Sequence, residues 1–257
     1  MAFIEYHTSD AEADFLELPF PDSAREDRPT TLPRLFLSLL AAGDMSYNPE
    51  QRNLRRDTWL QARRLLPGRS IAAELIHSRQ VFDIGSAEHP EKMREDGIVC
   101  SNKSVSLVLT VADCMPIFLY DPEHAVFGLL HSGWKGTGIL ENAVRLLRNN
   151  YKTEAERLLV CFGPHIGPCC YQVDQARAAL FSSDFGPEAV SHESGSYSLN
   201  LLQANLAIAR RLGIRQLAYT RACTCCDQRF GSYRRQGAAA FSRMAAVIGW
   251  PQQGGRA

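Results

Sequence analysis

The chain has 257 residues, of which 45% are hydrophobic and 22% charged, as is usual for a globular protein. Its 28 basic and 28 acidic side chains balance, so there is no overall positive field of the kind that attracts nucleic acid or acidic lipid. We find no signal peptide and no apolar run near the roughly 18 residues that cross a bilayer. These features predict a cytoplasmic protein with neither a nucleic-acid nor a membrane partner, whose eight cysteines are thiols.

The domain organisation follows from the absence of a composition break in the middle of the chain and of repeats or linkers. Residues 1-34 are rich in Asp, Glu and Pro, and we expect an irregular or edge extension packed on the domain, with a strand around residues 15–18. Residues 35-250 should form one domain, and residues 251-257 a flexible tail.

Local patterns predict the elements of that domain. A helix should begin after Asn48 as N-cap, with Pro49 in its first turn, and end near Leu66. Other helices are predicted from residue 138 onward and over residues 173–181 and 199–212. Strands are predicted over residues 35–40, 71–76, 80–84, 96–100, 104–111, 116–120, 125–131, 157–162, 215–220 and 244–250.

Strands and helices do not alternate strictly in this order. An α/β fold of the α+β type with mixed sheets is therefore predicted rather than a doubly wound one.

Three predicted strand ends carry residues that bind metals: His77, Cys114 and His131. They are too far apart in sequence for a local zinc finger, so the fold itself would have to assemble the site. Two imidazoles and a thiolate suit zinc and leave its fourth position for water or substrate, as in catalytic sites. The alternative for each residue alone is a core cysteine or a hydrogen-bonded histidine. Cys114 and His131 also fit a thiolate–imidazole nucleophile, with Asp113 or another acid orienting the histidine.

Two further segments could bind anions or metals. Gly133 to Gly138 contains Lys135 and precedes a helix, a pattern that can hold an anion but also occurs in plain strand-to-helix turns. Cys223, Cys225 and Cys226, with Cys169 and Cys170, could form a second zinc site, although Cys-x-Cys-Cys is not the spacing that chelates with ease. Arginine side chains that could hold phosphate or carboxylate follow at Arg234, Arg235 and Arg243, with a solvated basic face as the alternative for Arg235.

Four segments, in this order, resemble the laccase-domain (YfiH-like) family over about Leu35 to Trp250. They are residues 110–116 (TVADCMP), 131–136 (HSGWKG), 163–171 (GPHIGPCCY), and Cys223-Thr224 through 232–235 (SYRR), with residues 76–78 (IHS) and Asn53 in addition.

The resemblance implies a single domain of layered mixed β-sheets flanked by helices. It maps the metal ligands onto His77, Cys114 and His131, with zinc as the metal and copper as the alternative. Catalytic roles then fall to Cys114, His131 and Asp113, and substrate contacts to Asn53, Lys135, Arg234 and Arg243.

Several activities are implied by the same resemblance. The leading one is a zinc-dependent purine nucleoside enzyme that phosphorolyses adenosine, inosine or methylthioadenosine and deaminates adenosine, with nucleoside and phosphate as its partners. Alternatives are a copper-dependent polyphenol oxidase, a hydrolase that edits peptidoglycan precursors, and a non-catalytic metal-binding domain. A multicopper mechanism needs more histidines than the seven present. The oligomeric state is left open.

The sequence departs from the family pattern in three places. Ser38 to Asp44 stands where many members have Ser-Thr-Arg, which removes a cation that could hold phosphate. Phe241-Ser242-Arg243 replaces Thr-Gly-Arg, so that only the arginine remains. Phe230-Gly231 replaces paired aromatics, and a larger or looser pocket is expected there.

Overall fold

A computed structural model describes residues 2–9, 12–21, 32–85, 93–193 and 195–252. Within these residues the chain forms the strands β1 (Ala2–Glu5), β2 (Phe15–Leu18), β3 (Arg34–Ser38), β4 (Ser70–Ala72), β5 (Val81–Asp83), β6 (Gly97–Cys100), β7 (Ser106–Val111), β8 (Met115–Asp121), β9 (Val126–Ser132), β10 (Leu159–Phe162), β11 (Gln172–Val173), β12 (Val190–Glu193), β13 (Ser196–Leu199), β14 (Gln216–Tyr219) and β15 (Met244–Gly249). The α-helices are α1 (Leu54–Ala62), α2 (Ile139–Tyr151), α3 (Gln175–Phe185), α4 (Leu201–Arg211) and α5 (Tyr233–Gln236).

Two large mixed sheets form the centre of the molecule. One has seven strands in the order β1-β14-β10-β8-β9-β6-β5, and the other has five in the order β2-β3-β15-β7-β4. Successive side chains of a strand point to opposite faces. Phe118 of β8 accordingly packs toward the five-stranded sheet, in one core with Leu37 and Leu109, whereas Ile117 and Leu119 pack toward the helices.

Helices cover the outer faces of both sheets. The apolar sides of α2 and α4 pack on the seven-stranded sheet, and Trp59 and Leu60 of α1 pack on Phe36 and Val247 of the five-stranded sheet. The layers are therefore α1, five strands, seven strands, then α2 and α4, which confirms the predicted fold class of layered mixed sheets flanked by helices. No helix in the described part of the chain has the length and apolarity to cross a membrane.

The N-terminal segment is edge structure rather than irregular extension. β1 pairs in parallel with β14 and β2 pairs antiparallel with β3, so residues 2–5 and 15–18 extend an edge of each sheet. Of the two predicted alternatives, irregular or edge structure, these stretches have the second, and the strand expected around residues 15–18 is confirmed. Residues 253–257 of the predicted tail lie outside the described residues.

The first helix is shorter than predicted at both ends. Asn53, not Asn48, is its N-cap, and its side-chain oxygen accepts from the Arg56 N–H at 3.1 Å. The Asn48 side chain instead accepts from the Glu50 N–H at 2.8 Å and holds a preceding turn. The helix ends at Ala62 because Arg64 takes a left-handed conformation with φ of 59°. The small sheet β11-β13-β12 was not predicted from the sequence.

Candidate metal centre and substrate pocket

Three separate elements bring the predicted metal ligands together. Cys114 directly precedes β8, and His131 lies in β9, whose pairing with β8 places Pro116 opposite His131. His77 lies in the loop after β4, where its φ of 57° is left-handed, and not at a strand end as predicted. One donor atom from each residue lies within 4.8 Å of the other two, and the rings of His77 and His131 are 5.1 Å apart.

A buried carboxylate, that of Asp96, holds both histidines. Its Oδ1 accepts from His131 Nδ1 and from the His77 backbone N–H, both at 3.0 Å. Its Oδ2 accepts from the Ser78 N–H at 2.5 Å and from the Ser78 hydroxyl at 2.8 Å. Asp96 is fully buried, so these bonds replace the water that its charge would otherwise require. Because Nδ1 of His131 is engaged, Nε2 is the ring nitrogen left for a ligand.

The thiolate form of Cys114 and the imidazolium form of His131 stabilise each other. Burial opposes ionisation of the Cys114 thiol, but His131 and a hydrogen bond with His77 outweigh it and lower the pKa of Cys114 to about 6. Burial likewise disfavours the imidazolium, yet Cys114 and Asp96 raise the pKa of His131 to about 10. In Asp96, burial is outweighed mainly by hydrogen bonds from His131 and Ser78, and its pKa is lowered. A thiolate–imidazolium pair therefore forms near neutral pH in the metal-free protein.

The glycine turn after β9 closes around this centre. A Cβ on Gly133 would lie 2.6 Å from Cys114 Sγ, and one on Gly136 would lie 3.0 Å from the carbonyl oxygens of His131 and Ser78. Only glycine lets the backbone approach the thiol so closely.

The three residues fit a metal ion. Two imidazoles and one thiolate are a common donor set for zinc and also bind copper. The carboxylate on His131 Nδ1 is the partner that metal-ligating histidines usually have, because it fixes the ring and its tautomer. Three protein ligands beside a cavity match a catalytic rather than a closed structural site.

The cavity next to the ligands has a volume of about 640 Å³ and combines flat rings with positive charge. Its lining includes the aromatic residues Tyr47, Trp134, Tyr171, Tyr233 and Phe241 and the cations Lys135, Arg177, Arg234 and Arg243.

The cations are held at the cavity by contacts of their own. The Arg177 guanidinium lies 4.6 Å from the Trp134 ring, and that of Arg243 lies 4.2 Å from the Phe241 ring. Arg234 donates to the Gln172 carbonyl at 3.1 Å, while Lys135 is exposed with its Nζ 5.7 Å from the Trp134 ring. The predicted Lys135, Arg234 and Arg243 thus share the cavity with the ligands.

Asp113 does not orient His131; of the two alternatives, Asp113 or another acid, the structure has the second, which is Asp96. A catalytic role for Asp113 stays a prediction. Asp113 has a left-handed φ of 82° and lies in the cavity wall. Its Oδ1 accepts from the Thr224 hydroxyl and its Oδ2 from the Arg234 N–H, both at 2.7 Å. Asp113 therefore connects the turn before Cys114 to the loop of Thr224 and to helix α5.

Asn53 also differs from its prediction as a substrate contact. Its oxygen caps α1, and its Nδ2 donates to the carbonyls of Asp44 and Ser46 at 3.2 and 3.0 Å. It is not among the residues that line the cavity. It acts instead by fixing the loop that carries Tyr47.

Part of the hydrogen-bonding capacity of the glycine turn is used within the turn itself, so anion binding by its backbone stays a prediction. The N–H and hydroxyl of Thr137 both donate to the Gly133 carbonyl at 2.7 Å, and the Ile139 N–H donates to Gly136. Arg235 is neither a phosphate ligand nor a solvated charge. Its guanidinium donates to the carbonyls of Thr224, Cys225, Asp227 and Phe230.

The loosening expected at Phe230-Gly231 does not occur either. Phe230 is fully buried in the core between the sheets. A Cβ on Gly231 would lie 2.2 Å from the Ser242 carbonyl oxygen, so glycine is required by a close backbone approach.

Three residues of the site escaped sequence reasoning: Asp96, Arg177 and Tyr47. Asp96 has the one available signal, an acid next to a glycine at the start of an apolar strand. Arg177 resembles any charged residue on the exposed side of a helix, and Tyr47 any residue of a polar loop.

Comparison with known proteins places this geometry in a family. A family model described as multi-copper polyphenol oxidoreductase laccase matches residues 39–251. The purine nucleoside phosphorylase YlmD of Geobacillus stearothermophilus is 32% identical over 197 residues, covering 70% of this chain and 72% of the relative. A purine nucleoside phosphorylase of Deinococcus radiodurans is 34% identical over 182 residues, 70% of each chain.

Solved structures show the same fold. A hypothetical protein YfiH of Bacillus licheniformis aligns with a TM-score of 0.76 at 22% identity, over 90% of this chain and 98% of that one. YlmD of Geobacillus stearothermophilus aligns with a TM-score of 0.74 at 24% identity, over 88% and 98%. The ligand cluster, its cavity and the match over residues 39–251 converge, and the chain belongs to the multi-copper polyphenol oxidoreductase laccase family.

Proposed function

We propose that the protein is a purine nucleoside phosphorylase with zinc held by His77, Cys114 and His131. The observation that carries this proposal is one cavity that joins the three ligands to five aromatic rings and four cations. Flat rings suit a purine base, and the cations suit phosphate. The names of the two relatives above support the same reaction class.

In phosphorolysis the bond between the purine nitrogen and ribose C1′ breaks, and a phosphate oxygen bonds to C1′. The proton of hydrogen phosphate ends on the released base, so the reaction needs no other reactant. Lys135, Arg177, Arg234 and Arg243 would hold phosphate and offset its charge where it meets C1′. The aromatic side chains would hold the base in a fixed plane. A bound zinc ion would act as a Lewis acid on a polar substrate atom.

The missing Ser-Thr-Arg arginine is compensated in this proposal by Arg177. This residue reaches the cavity from α3 and stacks on Trp134. Phosphate binding then depends on four cations from four different segments, of which only Lys135 belongs to the glycine turn.

The proposal is tested by product analysis of zinc-loaded protein with inosine or adenosine, with and without phosphate. Phosphorolysis predicts free base and ribose 1-phosphate in equal amounts, and no base without phosphate. Deamination of adenosine, which we include as a second activity of the centre, predicts inosine and ammonia independently of phosphate. If none of these products forms, the proposal is wrong. Cys114→Ser should abolish turnover, whereas Cys100→Ser, a buried thiol elsewhere, should not.

The thiolate–imidazolium pair favours a second candidate, amide hydrolysis on a cell-wall precursor. Cys114, His131 and Asp96 have the nucleophile, base and orienting acid of a cysteine hydrolase. Attack of the Cys114 thiolate on a carbonyl would give a thioester and release the amine, and water would then release the acid. Metal-free protein should be the active form in this case. Loss of activity on zinc removal would rule this candidate out.

The identity of the metal and the cellular location of the protein complete the proposal. Zinc is preferred to copper because none of the other described histidines supplies a further ligand at this centre. His165 bonds to the Gly163 carbonyl, His124 to Asp121, and His192 stacks on Tyr197, while His7 is exposed after β1 and outside the cavity lining. Metal analysis of protein produced without added copper tests this, since stoichiometric copper would instead favour phenol oxidation. A cytoplasmic location, with no nucleic-acid or membrane partner, stays a prediction.

A further inference from the structure

A second group of metal-binding side chains lies outside the cavity lining. The thiols of Cys169, Cys170, Cys223 and Cys226 each offer a sulfur, and these four atoms all lie within 4.8 Å of one another. Sγ of Cys226 is 3.5 Å from that of Cys169 and 3.4 Å from that of Cys170. A zinc ion with four Zn–S bonds of about 2.3 Å needs sulfur atoms about 3.8 Å apart. The four thiols are thus near the separation that a tetrahedral zinc ion requires.

The topology explains why two distant pairs meet. Cys169 and Cys170 follow β10, and Cys223 and Cys226 follow β14, the parallel neighbour of β10. Parallel strands end at the same edge of a sheet, so the two loops leave side by side. A backbone bridge between His165 and Cys223 continues the pairing into the loops. Cys223 and Cys226 have the spacing Cys-x-x-Cys. Cys225, which belongs to the cluster predicted from the sequence, is not one of the four close thiols.

The cysteine loops are fixed before any metal binds. The Gly167 N–H donates to Cys223 Sγ at 3.2 Å, a bond that favours a thiolate there. The Arg235 guanidinium donates to the carbonyls of Thr224 and Cys225 at 2.7 and 2.8 Å. All four sulfurs belong to free thiols, and those of Cys169 and Cys226 are exposed, so an ion can enter.

We propose that Cys169, Cys170, Cys223 and Cys226 bind one zinc ion as a closed structural site. Four protein ligands leave no position for substrate, and this distinguishes it from the catalytic-type centre at His77, Cys114 and His131.

The ion would clamp two walls of the cavity. Tyr171 follows Cys170 directly and lines the cavity. Thr224 follows Cys223 and donates to Asp113, the neighbour of Cys114, at 2.7 Å. Zinc at the four cysteines would therefore fix the positions of Tyr171 and Asp113 relative to each other. This inference does not depend on the proposed function, because it concerns metal binding and not turnover.

Metal content of variants purified under reducing conditions without chelators tests the site. His77→Ala removes a ligand of the other centre, and it should retain one zinc per chain whose X-ray absorption shows four sulfur neighbours at about 2.3 Å. Cys226→Ser should lose one zinc per chain relative to the parent protein, and the matched control Cys225→Ser should lose none. His77→Ala protein without zinc, or with zinc bound by nitrogen or oxygen, would overturn the proposal.

Thiol labelling of the unmodified chain keeps the test independent of variant folding. Zinc should protect Cys169 and Cys226 from iodoacetamide in peptide mapping, relative to chelator-treated protein, and leave labelling of Cys225 unchanged. Equal labelling of Cys169 and Cys226 in both samples would contradict the site. An intact mass lower by two hydrogens, together with absence of zinc, would show a disulfide in its place and also overturn it.

Discussion

Replacement of Asp96 by asparagine probes the support of the metal centre without changing its ligands. The carboxylate accepts four hydrogen bonds, two on each oxygen: from His131 and His77 on Oδ1, and from the N–H and hydroxyl of Ser78 on Oδ2. Asp96→Asn keeps the shape but turns one acceptor into an NH₂ donor. If the amide oxygen stays on the histidines, that NH₂ group faces two donors of Ser78.

The structure sets the size of the expected effect. Loss of the carboxylate behind a metal-ligating histidine lowers metal affinity by about 10–100-fold, or roughly 1.4–2.7 kcal/mol. Buried donors left without an acceptor cost about 1–3 kcal/mol each. We therefore expect Asp96→Asn to weaken zinc binding by at least about tenfold and to lower the free energy of unfolding of the metal-free protein by about 2 kcal/mol or more.

Competition with a chromophoric chelator measures zinc affinity, and urea unfolding of metal-free protein measures stability. Asp121→Asn is the matched control. Asp121 is also buried and accepts from a histidine, His124, at 2.8 Å, but it lies at the far end of β8. This control should lose stability and keep zinc affinity. Wild-type zinc affinity in Asp96→Asn would refute the role assigned to Asp96.

Three further predictions concern the turn, the thiol and the cations. Gly133→Ala should weaken zinc binding and lower the free energy of unfolding by about 1–3 kcal/mol, because the new Cβ would lie 2.6 Å from Cys114 Sγ. Chelator competition measures the zinc affinity, and urea unfolding measures the stability. Iodoacetamide alkylation of Cys114 in metal-free protein, followed by peptide mapping, should have its midpoint near pH 6. Since the thiolate exists above the lowered pKa, His131→Gln should move the midpoint to higher pH. Arg243→Ala should raise the KM for phosphate by about 10-fold or more, the loss of one charged hydrogen bond, in steady-state kinetics.

Each of these predictions has a control and a contradicting outcome. Gly68→Ala should be near neutral, since a Cβ there meets nothing within 4 Å; an equal loss in both glycine variants would contradict the argument from close approach. An alkylation midpoint near pH 9.0, the ordinary pKa of a thiol, would contradict the ion pair between Cys114 and His131. Lys103→Ala changes a cation that lies over Trp250, outside the cavity lining. If it raised the phosphate KM as much as Arg243→Ala, the cavity cations would have no specific role.

Continuous apolar runs predicted most of the sheet strands, because central strands such as β8 and β9 are buried along their whole length. Hydrophobic periodicity predicted the helices α2 and α4, because each buries one apolar face. The start of α1 was misplaced, since Asn48-Pro49 has the composition of a helix start while the side chain of Asn48 holds a turn. The small sheet β11-β13-β12 was missed because its strands are only two to four residues long and mostly polar.

The metal ligands were predicted because histidine and cysteine carry a chemical signal that the family resemblance strengthened. Asp96 was not, since an acid beside a glycine does not show that its carboxylate bonds to His77, Ser78 and His131. Pairing of an acid with a distant histidine is decided by the order of strands β6 and β9 in the sheet. The same limit explains Asp113, which stands next to Cys114 in sequence but bonds to Thr224 and Arg234.

Anomalous scattering at the zinc edge from a crystal of the purified protein tests the central claim most directly. The account predicts one peak within bonding distance of Cys114 Sγ, His131 Nε2 and a ring nitrogen of His77, with the cavity at its open side. Absence of a peak at these three residues in zinc-loaded crystals, or a peak that leaves out Cys114 or His131, would contradict it.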